Sequence, residues 1–499
     1  MAASATAAAA LAACGGSGDA DSPEAEKLKE ILAKSSTEAA ETVETQSARP
    51  QASGPVVIGL PTGGFQGSRV AVQVEGVVAG IRREQGESAN LEHALIAAQP
   101  QSGPQGLPDA IAAARDDGRQ LDLIYISNSD ELEALNDAGM LTAVQAAATS
   151  DPSFDTSNYY QSALDAASID GQLMALPVWV RPTMLQYSPR PFESAGIEPP
   201  NDSWDWPTFV ERTSRLTVPR ADGGRSQYGV LIAPGATPSY MFMWQNGAEI
   251  LSPDGKTSAV NSPEAVEAVQ FMADLVLEHE VSPRLIVGDD EDLTIDFSDD
   301  GIVINGGLVA MLPRQVGGQF GFSIFRAIFA GGGRGGRMPR VNIQRGPANQ
   351  QSPSAGTTPS ANPIEVLESL PLGPMPRGEV AANPGEAGGM VGVLDGAADV
   401  TSAWSELRTL IDALEVQGLV PARRMSSEEL TRIDSSLDIN SAAALINATE
   451  ASRVPAFPRS QQITAILNQA IDIPVLTGEM SPLDACNAAA KQIDDLLAA

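Results

Sequence analysis

Two prolines in an otherwise apolar run constrain this chain more than any other feature. From Ala175 to Tyr187 the sequence reads ALPVWVRPTMLQY, with Arg181 its single charge. Pro177 stands near the start and Pro182 inside. Proline has no N–H to donate to a neighbouring strand, so this cannot be an ordinary central strand. The run reads instead as an extended segment passing from one structural unit to another. That predicts two lobes with a cleft where they meet. Pro189 and Pro191 end the run, and a short helix closes at Gly196. After Pro199-Pro200, the stretch Asp202-Ser203-Trp204-Asp205 opens an amphipathic helix.

A chain of 499 residues is long enough for two or three domains and a large core. It carries 63 acidic against 31 basic residues, a net charge of -32. Such a polyanion repels nucleic acid, so no nucleic-acid partner is expected, and the charge is read as a soluble, salt-tolerant surface. Two Cys and two His residues exclude a disulfide framework and most zinc or His-based catalytic arrangements. No metal or cofactor is expected. The run Asp289-Asp290-Glu291-Asp292 lacks the alternating spacing of a calcium loop and reads as solvated surface.

The N-terminal residues 1–14 are small and apolar and end Leu11-Ala12-Ala13-Cys14, before Gly15-Gly16-Ser17-Gly18. This resembles a bacterial lipobox, which implies export, lipidation at Cys14 and a lipoprotein anchored on the extracytoplasmic face of the membrane. The pattern departs from a signal peptide at its front, where no Lys or Arg precedes Lys27. Residues 15–53 are polar and acidic and read as a flexible tether.

From residue 54 onward, strands and helices alternate. Val56 to Leu60 is a strand followed by a turn at Pro61 to Gly64, and Val70 to Gln85 is helical. Leu121 to Ile126 is a buried strand, and Ser262-Pro263-Glu264 opens a helix with Val269, Met272 and Val276 on its apolar face. The fold class is α/β, with central sheets flanked by helices. Residues 330–363, GGGRGGR followed by Gln, Ser, Pro, Thr and Asn, read as a low-complexity inserted loop.

Several motifs then fall in a familiar order. They are Leu121-Asp122-Leu123-Ile124, Ala138-Gly139-Met140-Leu141, Asp170 to Pro177, Leu185-Gln186-Tyr187, Trp204-Asp205-Trp206, Asn246-Gly247-Ala248-Glu249-Ile250, Val309-Ala310-Met311 and Ala403-Trp404. In order and spacing the chain resembles the extracellular solute-binding proteins of ABC importers, the family that includes maltose-binding protein. The resemblance implies a two-lobe periplasmic-binding-protein fold of type II. Lobe 1 would hold residues 54–178 and 388–433, and lobe 2 residues 182–385 and 437–499. The chain would cross near Leu176–Thr183, Glu386–Val393 and Ile433–Asn440.

Trp179 and Arg181 lie in the first crossing and are candidate ligand contacts; the alternative for Arg181 is a structural role at the hinge. Arg181 occupies a motif position that is acidic in maltose-binding protein. Tyr240 and Trp244 are four residues apart and share a helix face, which suits a sugar ring or core packing equally. Asn128, after a lobe 1 strand, either bonds a solute hydroxyl or caps a helix. Arg314 and Phe457 match cleft-facing positions of the family. Gln66, in the Gly63 to Gln66 loop, is a weaker candidate. Trp204 and Trp206 read as scaffold.

The leading function is a monomeric receptor that captures a small polar solute, with carbohydrate the family's default, by lobe closure and delivers it to a membrane permease. A surface lipoprotein with a degenerate cleft and a structural or adhesive role stays open, as does a secreted carbohydrate hydrolase. Against the latter, no G-x-S-x-G, H-E-x-x-H or P-loop occurs.

Overall fold

The computed structural model describes residues 54–62, 64–86, 90–98, 105–234, 239–284, 293–298, 301–304, 307–316, 341–345, 370–380, 382–387, 389–415, 420–435 and 437–498. Cys14, the tether, Gly63 and the acidic run 289–292 lie outside them, as do the side chains of residues 64–70.

The first core alternates β1 (Val56–Pro61), α1 (Gly64–Gln85), β2 (Leu91–Ile96), α2 (Gly106–Asp116), β3 (Leu123–Ile126) and α3 (Ser129–Asp137). β1 pairs in parallel with β2 on one side and β3 on the other. Strands such as Leu123-Ile124-Tyr125-Ile126, buried throughout, suit a parallel sheet covered by helices on its faces. The expected turn at Gly64 is shorter than read, because α1 begins at that residue. β4 (Ala175–Pro177) joins the same sheet.

The next strand, β5 (Trp179–Tyr187), leaves it. Beyond β5 a second core gathers around α4 (Trp206–Leu216), α5 (Ser239–Gln245) and α6 (Pro263–Leu277). Asp205 caps α4 by accepting from the Thr208 N–H at 2.8 Å, and Ser262 caps α6 through the Ala265 N–H. The buried face of α6 holds Ala265, Ala268, Val269, Met272, Ala273 and Val276, the helical spacing visible in the sequence. Trp206 stacks on Phe271 with centroids 4.0 Å apart, and its indole N–H donates to Gln245 Oε1, so it is scaffold.

A separate six-stranded sheet contains β6 (Arg225–Tyr228), β7 (Leu293–Ser298), β8 (Gly301–Ile304) and β9 (Gly307–Val309). Its outer strand is β11 (Val341–Arg345), parallel to β7. That strand falls inside the stretch read as an inserted loop, so residues 341–345 are a correction to that reading. Val341 and Ile343 alternate with polar residues there, a strand pattern that the Gly-rich flank obscures. β10 (Met311–Gln315) pairs with β5 instead.

The chain then returns. β12 (Asn383–Ala387) lies antiparallel to β5, and β13 (Met390–Leu394) re-enters the first sheet between β3 and Leu141–Thr142. α7 (Val400–Leu414) seals that core with Trp404, Leu407, Leu410 and Leu414. β14 (Val420–Pro421) and α8 (Ile439–Glu450) form a third apolar cluster with Tyr159, Tyr160, Val180 and Met184, around β5 itself. α9 (Ser460–Leu467) and α10 (Pro482–Leu497) complete the second core. Ala485, Cys486, Ala489 and Ile493 form the buried stripe of α10.

β5 is flanked on both edges, yet no single partner runs its length. β12 pairs with residues 180–182, and β10 begins at Thr183. The missing N–H of Pro182 falls at this change of partners, and its carbonyl accepts from Val316 N at 2.9 Å. The prolines therefore mark a passage between two ladders. Val178 stands between β4 and β5, its N–H donating to Gly389 O at 2.9 Å.

Candidate functional site at the lobe crossing

In open α/β sheets, ligands bind outside the carboxyl ends of the strands. β3 ends at Ile126, and the residues after it turn at once into α3. The Ser127 N–H donates to Glu131 Oε2 at 2.7 Å, and the Glu131 N–H donates to Asn128 Oδ1 at 3.0 Å. Asn128 is thus the cap of α3. Its side-chain oxygen accepts at the helix start, the capping alternative of the two roles read for it.

Arg181 and Glu386 stand opposite each other in the β5–β12 ladder. Their side chains approach to 3.4 Å between Nη1 and Oε2, with exposures of 21% and 46%. The Arg181 Nε is buried and has no hydrogen-bond partner among the described residues. Beside this pair lies Tyr125, fully buried on β3. Burial pushes its phenol well above the usual range; Arg181 pulls it down, and Glu131 and Glu386 push it further up. Burial also raises the Glu131 carboxyl, against the pull of its hydrogen bonds from Ser127. Tyr125, Glu131, Arg181 and Glu386 therefore share one electrostatic neighbourhood, drawn from β3, α3, β5 and β12. A guanidinium donor beside carboxylate acceptors matches the chemistry of a hydroxyl, which both donates and accepts.

The other expected contacts fare differently. Trp179 is 0% exposed within the first core, and its indole N–H donates to Leu414 O at 3.2 Å. It is a core anchor, which corrects its assignment to the cleft. Tyr240 and Trp244 are also buried, and their rings meet edge to face at 4.9 Å. The Arg453 guanidinium lies 4.9 Å from the centroid of Trp244. Each ring is used by its neighbours, so the pair forms packing rather than an open platform. Arg314 sits on β10 opposite Met184 and is half-buried. Phe457 packs against the second core, whereas Val454, in the same loop, packs against the first. Gln66 falls in the first turn of α1, and its side chain is outside the described residues.

Of the expected set, the fold brings Arg181 to the junction and seats Phe457 in a loop that touches both cores. Sequence reading missed Tyr125, Glu131 and Glu386. Glu386 had a legible signal, since it begins the expected second crossing. Tyr125 had none, because a buried tyrosine in an apolar strand looks like core.

Residues 97–298 match the model of the bacterial extracellular solute-binding protein family. The segment runs from the end of β2 through the first crossing to β7. The structure is similar to that of the sugar-binding protein MalE from Xanthomonas citri, with 14% identity and a TM-score of 0.62, covering 89% of this chain and 97% of that one. This is the fold of a two-lobe solute-binding protein. A cyclic alpha-maltosyl-1,6-maltose binding protein from Arthrobacter globiformis is similar at 17% identity and a TM-score of 0.58, covering 89% and 99% of the two chains. An ABC transporter solute-binding protein from Thermotoga lettingae, bound with alpha-D-tagatose, is similar at 16% identity and a TM-score of 0.55, covering 89% and 100%. The resemblance read from the order of the motifs stands. The matching family is described as one of bacterial extracellular solute-binding proteins, in keeping with the expected extracytoplasmic location.

Proposed function

We propose that this chain is the extracytoplasmic receptor of an ABC importer and captures a small polar solute, a sugar or oligosaccharide, between its lobes for delivery to a membrane permease. The family match and the sugars named for the similar structures support the reading. The observation that carries it for this chain is the Arg181–Glu386 pair, set in the two crossing strands beside Tyr125 and Glu131. A solute that bonds groups of both lobes favours their closed arrangement, because only that arrangement lets all the bonds form together. The lobe boundaries inferred from the motifs, a monomeric state and a lipid anchor at Cys14 belong to the same proposal.

Titration calorimetry with a panel of mono- and oligosaccharides tests it. Stoichiometric binding without turnover is expected for at least one sugar. Arg181→Met keeps the aliphatic stem and removes the donors, so affinity should fall about 10- to 100-fold, the loss of one charged hydrogen-bonding group. Product formation would replace the receptor by an enzyme. Sugar binding that Arg181→Met leaves unchanged would move the site away from the crossing.

A further inference from the structure

α9 begins without a cap of its own. Its N-cap residue, Arg459, takes a left-handed conformation with φ 56° and offers no side-chain acceptor to the helix. The first N–H groups of a helix need acceptors, and burying them unpaired is costly. Here the acceptor comes from the other core. Asp130, in the first turn of α3, accepts from Ser460 N at 2.9 Å through Oδ1 and from Gln461 N at 3.0 Å through Oδ2. The Ser460 hydroxyl also donates to Oδ1. The neighbouring Glu133 accepts from Arg459 N at 3.3 Å. α3 packs on the first core through Leu132 and Leu135, and α9 on the second through Ile463 and Leu467.

Asp130 is 4% exposed, so its charge has left water and rests on these bonds. A buried carboxylate is tolerated when its lone pairs are satisfied, and the positive end of a helix is a favourable place for it. Separating the lobes would break four hydrogen bonds at once, three to Asp130 and one to Glu133, and leave the start of α9 uncapped. Water would then have to solvate both sides.

We infer that Asp130 and the amino end of α9 form an interlobe latch, which holds the lobes together before any solute arrives. The latch biases the open–closed equilibrium of the empty protein towards closure. It rests on the two-lobe fold and not on the identity of the solute.

The test uses the full chain without added sugar. Cys14→Ser removes a competing thiol, and spin labels are placed at Asp116→Cys on lobe 1 and Ser214→Cys on lobe 2, both exposed positions. The distance distribution between the labels is measured by pulsed electron resonance. Asp130→Ala should shift it to longer distances, with the closed-to-open ratio falling roughly tenfold or more, and Ser460→Ala should shift it less. Amide exchange at Ser460 and Gln461 should quicken in parallel. Asp130→Asn, which keeps the side-chain size, serves if the alanine variant does not fold. An unchanged distribution in a folded Asp130 variant, even one with lowered Tm, would overturn the latch and leave Asp130 as an ordinary cap. Because no sugar is present, that result says nothing against the receptor reading.

Discussion

At the level of single residues, position along the chain is a poor guide to exposure. Trp179 and Arg181 are two apart on one strand, but the first is sealed in the first core and the second stands at its edge. The difference is one of partners. The Trp179 indole is satisfied by a buried carbonyl of α7, whereas Arg181 meets the carboxylate of the returning strand. Trp179→Ala should therefore destabilise the protein by about 3–5 kcal/mol, the usual result of emptying a large core site. Chemical denaturation would show it as a lower midpoint. Affinity for a bound sugar, measured on the remaining folded protein, should change far less than in Arg181→Met. Cys486 is the opposite of a functional thiol: burial on α10 pushes it up to about 12.

Among the elements, the crossing depends on backbone passing close to side chain. Gly389 precedes β13, and its φ is 111°, which side-chain-bearing residues rarely adopt. A Cβ at this position would overlap the Tyr125 hydroxyl oxygen. Gly389→Ala should cost about 3 kcal/mol or more through combined strain and overlap, and it should also disturb the polar group around Tyr125. Thermal unfolding measures the first effect and sugar affinity the second. Glu415, at the end of α7, shows the same reliance on a specific neighbour. Burial pushes its carboxyl up, while Arg423 draws it down through hydrogen bonds of 2.6–3.1 Å.

For the molecule as a whole, the first core is assembled from two distant parts of the chain, and polar contacts tie them together. Asp151 accepts from the Trp404 indole at 3.0 Å and from Arg408 at 2.6 Å, both on α7. Burial tends to raise its carboxyl, but the bonds from Ser153, Trp404 and Arg408 outweigh this and hold it well below the usual range. A carboxylate with a lowered pKa in the folded state stabilises that state fully above its unfolded value of 3.8. The contribution is lost as pH falls below that value. Asp151→Asn should therefore flatten the acid limb of the stability-versus-pH curve and lower stability at pH 7 by roughly 1–3 kcal/mol. Denaturant unfolding between pH 2 and about 7 tests the sign, since a variant whose deficit grows on acidification would contradict it.

Much of this architecture is written in local chemistry. The prolines around Trp179 announced a passage between units, because a missing N–H is a property of the residue itself. The stripes of α6 and α10, and the caps at Asp205 and Ser262, follow from spacing and from which side chains accept a hydrogen bond. The motif order pointed to the family that residues 97–298 match. What a sequence does not carry is the far partner. Whether Tyr240 and Trp244 present an open face, whether Asn128 is spent on its own helix, and that Asp130 reaches across to α9 depend on residues brought near only by folding. Burial and hydrogen-bond satisfaction are properties of pairs. The crossing could thus be located from its prolines alone, while the tertiary structure moved Trp179 into the core and set Arg181 against Glu386, because only the assembled ladders decide which side chain has room to face outward.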